Sequence, residues 1–338
     1  MRALLQTPTT PCLLANRRAW CISIAAAWAG HGMTGQRAAG QPPQSKAQSA
    51  PQSPITGLAV SADRQKVAGC SQDGLTIFSA SQLVPVLKIP SKDPNVHDLR
   101  FDVRGNILVA GGQAGSDGTL RCFAVADGRQ LFSHRCGEDV LYQASPSPDG
   151  RRIAGAGGDG TVYLLESSDD GHVVRRLTGH SGPVLTVAFI DSRWLLSAGR
   201  DRTIRLWDVE TPKVVRSLNN HLDDVRDLVL KPMGTGPPVV ASASADRTVR
   251  LWQPTIGRLV RFARLDSQPL ALAWTPDGEQ LVASCVDGRL LVIDPQTVEI
   301  RSRHAGLSRG WAYAVAAVSD RRVVIGGWGG ELKSIDLK

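Results

Sequence analysis

The sequence predicts an all-β fold in which seven repeated sheet wedges surround one axis, a seven-bladed propeller, and three observations predict it. First, residues 178–253 state one pattern twice: a histidine (His180, His221), alternating apolar residues, a run of small residues, Asp-Arg-Thr, and an apolar strand closing on Trp207 or Trp252. Second, aspartates that precede a strand fall at Asp73, Asp117, Asp159, Asp201, Asp246 and Asp287, with Gly329 in the next place. Their intervals of 44, 42, 42, 45, 41 and 42 residues match the period of about 40–45 residues of a propeller blade. Third, 34 Gly and 20 Pro in 338 residues, with no long 3.6-period apolar stripe after residue 30, argue against helices.

The doubled unit resembles the WD repeat, with Gly179-His180 at its opening and Trp207-Asp208 at its end. The second copy departs from both signatures, reading Asn220-His221 and Trp252-Gln253. This resemblance implies four-stranded antiparallel blades and a hydrogen-bonded chain of histidine, strand serine, turn aspartate and tryptophan in each complete repeat. Those chains would be His180–Ser197–Asp201–Trp207 and His221–Ser242–Asp246–Trp252. The chemistry is sound on its own terms. A carboxylate turned into a blade needs donors, an imidazole N–H is one, and a buried indole N–H needs an acceptor. A Ser/His/Asp set also invites a hydrolase reading. Its recurrence in two blades and the lack of a G-x-S-x-G elbow favour the structural role.

Residues 1–40 read as an export signal that is cleaved. Arg17-Arg18 stands before Ala19-Trp20 and the short run CISIAAAWAG, far below the roughly 20 apolar residues that span a bilayer. Paired arginines there resemble a twin-arginine signal, with cleavage after Ala29 or Gly40; a tail on a cytosolic protein is the other reading. Residues 41–54 are rich in Pro, Gln and Ser and read as a disordered linker. The propeller is expected over 55–338.

Blade one starts at Ile55, the second spans about 97–135, the third about 139–178, and the seventh begins at Trp311. Pro148-Asp149-Gly150 and Pro276-Asp277-Gly278 are hairpin turns. Six residues after the turn aspartate, only blades four and five have tryptophan; the others hold Ser79, Phe123, Leu165, Ile293 and Ile335, and blade three has Cys136 in the histidine place. Five blades are therefore expected to rest on apolar packing alone. The last blade is expected to have a short or missing outer strand, because SKAQSAPQS, ahead of Ile55, is a poor strand former.

Composition removes several functions. The net charge of +8 includes four arginines and no acids in residues 1–40, leaving 35 bases against 31 acids. That surplus gives no footprint for nucleic acid. Of six cysteines, Cys70, Cys122, Cys136 and Cys285 follow the leader; they read as buried thiols, with a Cys122–Cys136 bridge as the alternative. No C-x-x-C or H-E-x-x-H occurs, so no cofactor or metal is expected. Gly155 to Gly160 spells G-x-G-x-x-G, but a strand, TVYLLES, follows where a phosphate-binding motif needs a helix.

The resemblance implies a non-catalytic scaffold that binds proteins through the face bearing its inner loops. Trp311, Trp328, Arg200 and Tyr142 are the candidate anchors, the two tryptophans being either exposed there or packed inside. Among exported bacterial members, partners of cell-envelope or cytochrome type are implied, in the periplasm or envelope, with no nucleic acid and no membrane span after cleavage. The alternative is an exported propeller enzyme or small-ligand binder acting in the central channel. It would need charged inner strands, and VLTVAF, LALAW and AVAAV carry none.

Overall fold

Seven antiparallel sheets follow one another along the chain in a computed structural model that describes residues 52–90, 95–168, 171–232, 234 and 236–337. The leader at 1–40 and most of the linker at 41–54 lie outside the described residues. The sheets occupy 57–90, 96–137, 141–177, 184–218, 225–264, 269–304 and 314–336. Each strand pairs with its sequence neighbour, so all ladders are local. Among the described residues six sheets have four strands and the seventh has three, Ala314–Ser319, Arg322–Gly326 and Leu332–Asp336. The expected short last blade is therefore present.

The first strand of every sheet packs against the first strands of its two neighbours. That series closes, because Gly57–Val60 touches both Val96–Phe101 and Ala314–Ser319. The apolar core is divided accordingly into seven clusters, one between each pair of adjacent blades. Burial follows distance from the axis. Second strands such as Ile107–Gly111 and Leu281–Cys285 are buried throughout, whereas the outermost strand Lys213–Leu218 is exposed except at Leu218.

Among the described residues, side-chain packing and one backbone bond, rather than a shared strand, join the ends of the ring. Ile55, Leu58, Val67 and Ala80 of the first blade pack on Ala314, Ala316, Val318 and Val324 of the last. The Ile55 N–H donates to the Gly327 carbonyl at 3.0 Å. Each fully buried aliphatic side chain contributes roughly 1.5–3 kcal/mol, so this apolar layer can hold the ring.

Turn chemistry matches its residues. Gly150 and Gly278 both sit at φ 69°, where a Cβ is unfavourable, and each preceding turn is tied by a hydroxyl to a carboxylate: Ser147 to Asp149 and Thr275 to Asp277, both at 2.6 Å. Cys70, Cys122, Cys136 and Cys285 are buried thiols, pushed up to about 12 by burial. Cys122 stands opposite Phe132, not Cys136.

Candidate functional site

Two side-chain chains run from the ring's turns into its blades. In blade four the His180 Nδ1–H faces Asp201 Oδ2 at 2.8 Å, His180 Nε2 lies 2.6 Å from Ser197 Oγ, and the Trp207 indole N–H donates to that oxygen at 2.7 Å. Blade five repeats this with His221, Asp246, Ser242 and Trp252 at 2.9, 2.7 and 2.8 Å. An ionised carboxylate only accepts, so Nδ1 carries the proton and Nε2 accepts from the serine hydroxyl. Burial pushes both carboxyls up, but the His180 ring outweighs it at Asp201, and the Thr248 hydroxyl and His221 outweigh it at Asp246, which falls to about 2. Burial in turn lowers His221, keeping its ring neutral. Each serine spends its oxygen on two partners inside a blade, which leaves no exposed nucleophile.

Asp73, Asp117, Asp159 and Asp287 occupy the corresponding turns between second and third strands, as Gly329 does in the last blade. Asp287 pairs with Arg289, whose side chain also reaches Asp266 at 3.1 Å. Blade three corrects the expectation of purely apolar packing. The Tyr163 hydroxyl donates to Asp159 Oδ2 at 2.6 Å, in space that Gly137 leaves open, since a Cβ there would lie 2.2 Å from that hydroxyl. The pair at Asp159 and Tyr163, four residues apart, was readable in the sequence and was missed.

The four anchor candidates come to one side of the ring. A backbone bond of 2.8–3.0 Å recurs between the turn after a second strand and the segment before the first: Gly112 to Asn95, Gly158 to Val140, Arg200 to Pro183, Ala245 to Asp224, Val286 to Gln268 and Trp328 to Trp311. Arg200 and Trp328 thus hold equivalent donor positions, and Trp311 an acceptor position. Trp328 is 37% exposed, Trp311 is half-buried with its ring 5.8 Å from that of Tyr313, and Arg200 reaches Asp224 at 3.6 Å. Tyr142 sits on an inner strand, edge-on to His97 at 5.7 Å.

The placement of Tyr142 follows from a bulge. Registers shift at the second residue of five inner strands, at His97, Tyr142, Leu185, Arg226 and Leu270. A bulge re-aims its extra residue, here toward a central channel of about 600 Å³ lined by His97, Tyr142, Arg226 and Tyr313 among others. Deeper in the channel the structure corrects the expectation of uncharged inner strands, which holds for five of the seven. Val96–Phe101 and Val225–Leu230 bring in Asp98, Arg100 and Asp227. Arg100 donates to Asp98 Oδ1 at 2.7 Å. Asp227 accepts from Gln143 at 3.3 Å and from the Leu272 N–H at 2.8 Å, and Gln143 accepts from the Thr186 hydroxyl at 2.7 Å. No donor among the described residues reaches Asp98 Oδ2.

Burial pushes Asp98 up to about 6, with Arg100 opposing and Asp227 adding to the rise. Burial also raises Asp227, against Arg100. Gly57 makes the site possible, because a Cβ there would stand 2.9 Å from Asp98 Oδ1. Among the described residues no three His, Cys, Asp or Glu side chains gather to hold a metal ion, and no helix is long and apolar enough to cross a membrane.

An all-β ring of seven antiparallel blades with paired His–Ser–Asp–Trp chains defines a propeller of repeated sheets. Residues 128–165, 171–208, 212–253 and 265–294 match the WD domain, G-beta repeat, so the ring of seven blades carries four matched WD repeats. Each match but the last starts with the outermost strand of the preceding blade or the turn leading into it, so the sequence repeat is offset from the structural one. Protein tipD of Dictyostelium discoideum is 27% identical over 145 residues, 42% of this chain and 23% of its own length. Protein SPA1-RELATED 3 of Arabidopsis thaliana is 28% identical over 149 residues, 43% of this chain and 17% of its own. The nuclear distribution protein PAC1 of Coccidioides posadasii is 41% identical over 78 residues, 20% of this chain and 17% of its own. The matched region thus spans less than a quarter of each relative. A chain in the crystal structure of the mitotic checkpoint complex superposes with a TM-score of 0.74 at 15% identity, covering 89% of this chain and 99% of that one. At that identity the likeness is one of fold.

Proposed function

We propose that this protein is a non-catalytic scaffold that holds a protein partner on the side of the ring bearing Trp311, Trp328, Arg200 and Tyr142. The observation that carries the reading is the partly exposed Trp328 of the last blade, tied by its backbone to Trp311. Aromatic and arginine side chains on a rigid frame lose little entropy on binding and are the usual anchors of interfaces. The matched repeats and the protein complex that contains the structural neighbour support a protein as the partner. Replacing Trp311 and Trp328 together by alanine should weaken capture of the partner from envelope extracts at least tenfold while leaving the melting temperature within a few degrees. Undiminished capture would remove this face from consideration.

A second reading, a small-ligand site in the channel, is favoured by Asp98, Arg100 and Asp227. Thermal shifts on titration with divalent cations or small cationic and zwitterionic ligands distinguish it from a pure scaffold.

Export of the chain by the twin-arginine route into the periplasm or envelope, with cleavage within 1–40 and a linker at 41–54, is part of the same proposal and rests on Arg17-Arg18 and the short apolar run after them. Partners of cell-envelope or cytochrome type fit that location. Arg17→Lys with Arg18→Lys should leave uncleaved precursor inside the cell; normal export of the variant would overturn the route.

A further inference from the structure

Charge in this ring is sorted by distance from the axis. The outermost strands of the first six blades are Pro85–Pro90, Gln130–Gly137, Gly171–Leu177, Lys213–Leu218, Arg258–Arg264 and Ile300–His304. They hold one lysine or arginine on each of the first two strands, two on each of the third, fourth and sixth, and three on the fifth; all eleven are exposed. None of the six strands contains Asp or Glu. The chain beyond residue 40 has only 35 bases against 31 acids, so these six outer strands hold a basic surplus that the chain as a whole lacks; the outermost strand of the seventh blade, Leu332–Asp336, carries one base and one acid.

The densest arc lies on blades four to six. Arg258, Arg261 and Arg264 of blade five stand between Lys213 and Arg216 on one side and Arg301 and Arg303 on the other. Among the described residues no ion pair engages Lys213, Arg258, Arg261, Arg264 or Arg303. Apolar side chains are exposed among them: Val215 at 46% and Phe262 at 49%. The strand Arg258–Arg264 pairs on its inner side with Thr248–Gln253 and ends its sheet. Its outer N–H and C=O groups therefore pair with no strand among the described residues.

Charged edges protect sheets from pairing with one another, but either sign serves that purpose, and mixed signs avoid self-repulsion. One sign on the outer strands of six blades needs a further reason. We propose that the outer edge of blade five, with the flanking rims of blades four and six, is a docking surface for an acidic, extended segment of a protein. The segment adds a strand along Arg258–Arg264, a length of about 23 Å at roughly 3.3 Å per residue. Its backbone pairs with the open edge while its carboxylates meet the arginines and its apolar residues cover Phe262 and Val215. Charge complementarity supplies the sign of the partner, and the open backbone edge supplies its form. A nucleic acid would satisfy the charge only: it makes no use of a strand edge, and Phe262 alone gives its bases a single stacking platform. This surface is separate from the turn-bearing face and stands or falls independently of it.

The test measures binding of the full chain to a fluorescent peptide of about ten alternating Glu and Val residues, by anisotropy at low salt. Binding should weaken at least tenfold in the triple variant Arg258→Glu, Arg261→Glu, Arg264→Glu, severalfold in the milder Arg261→Gln with Arg264→Gln, and not at all in Lys88→Glu on the far rim. It should persist in the Trp311 and Trp328 variant. No binding by the unaltered chain overturns the proposal. So does equal binding of an acidic peptide interrupted by proline, which cannot add a strand, and so does tighter binding of a single-stranded oligonucleotide of equal charge.

Discussion

Trp207→Ala is expected to cost about 3–5 kcal/mol of unfolding free energy, the range for emptying a large buried aromatic site. Trp207 is 1% exposed, and its ring packs in the apolar layer between blades three and four. The milder variant is Trp207→Phe, which keeps an aromatic ring but removes the N–H that reaches Ser197 together with part of the indole's volume; it should cost about 2–3 kcal/mol, the lost bond plus a small cavity. Asp201→Ala strands the His180 ring N–H and the Thr203 hydroxyl, at on the order of 1–3 kcal/mol, and Asp246→Ala should behave alike in blade five. Combining Asp201→Ala with Trp207→Phe should cost less than the two separately, since both act through Ser197 and His180. Urea unfolding of the four proteins reads this directly. Strict additivity, or a thermally silent Asp201→Ala, would mean that the bonded chain does not act as a unit.

Asp98→Asn should change how stability depends on pH. Burial raises the folded Asp98 to about 6, above the unfolded value of about 3.9. Between those values the native state binds more protons than the unfolded chain, so the contribution of Asp98 to stability is full below about pH 4 and is lost as pH rises through 6. The loss is on the order of 1–3 kcal/mol. The substituted amide stays neutral at every pH, and its carbonyl oxygen can still accept from Arg100. The stability of the natural protein minus that of the variant should therefore fall between pH 4 and 7. Taking the difference matters, because His221, lowered by burial, pulls the other way in that window, and Asp246, lowered to about 2, contributes stability that is lost only in stronger acid. A flat difference curve would show Asp98 to be ionised and solvated like any surface carboxylate.

The two complete polar chains were legible before any coordinates because all four members of each lie within 32 residues, on strands that pair as sequence neighbours. The same locality made the seven turns and the short last blade legible. Tyr163 escapes the histidine–tryptophan pattern because blade three meets the same need for a donor to Asp159 with a phenol. The inner-strand bulges left no mark that alternation could reveal, since one extra residue in a short apolar strand looks like ordinary irregularity.

By itself the sequence determined the number of blades, their order and the hydrogen-bonded frame of blades four and five, because each depends on contacts inside one repeat. Only the tertiary structure decided the rest. Asp98 and Asp227 are 129 positions apart and face each other's charge because the ring closes on its axis. A surplus of four bases looks featureless along the chain, yet the same closure carries the outermost strands to the circumference and makes the edges of six blades basic. Charge and burial in a propeller depend on radius, and radius is a property of the closed ring, not of any one repeat.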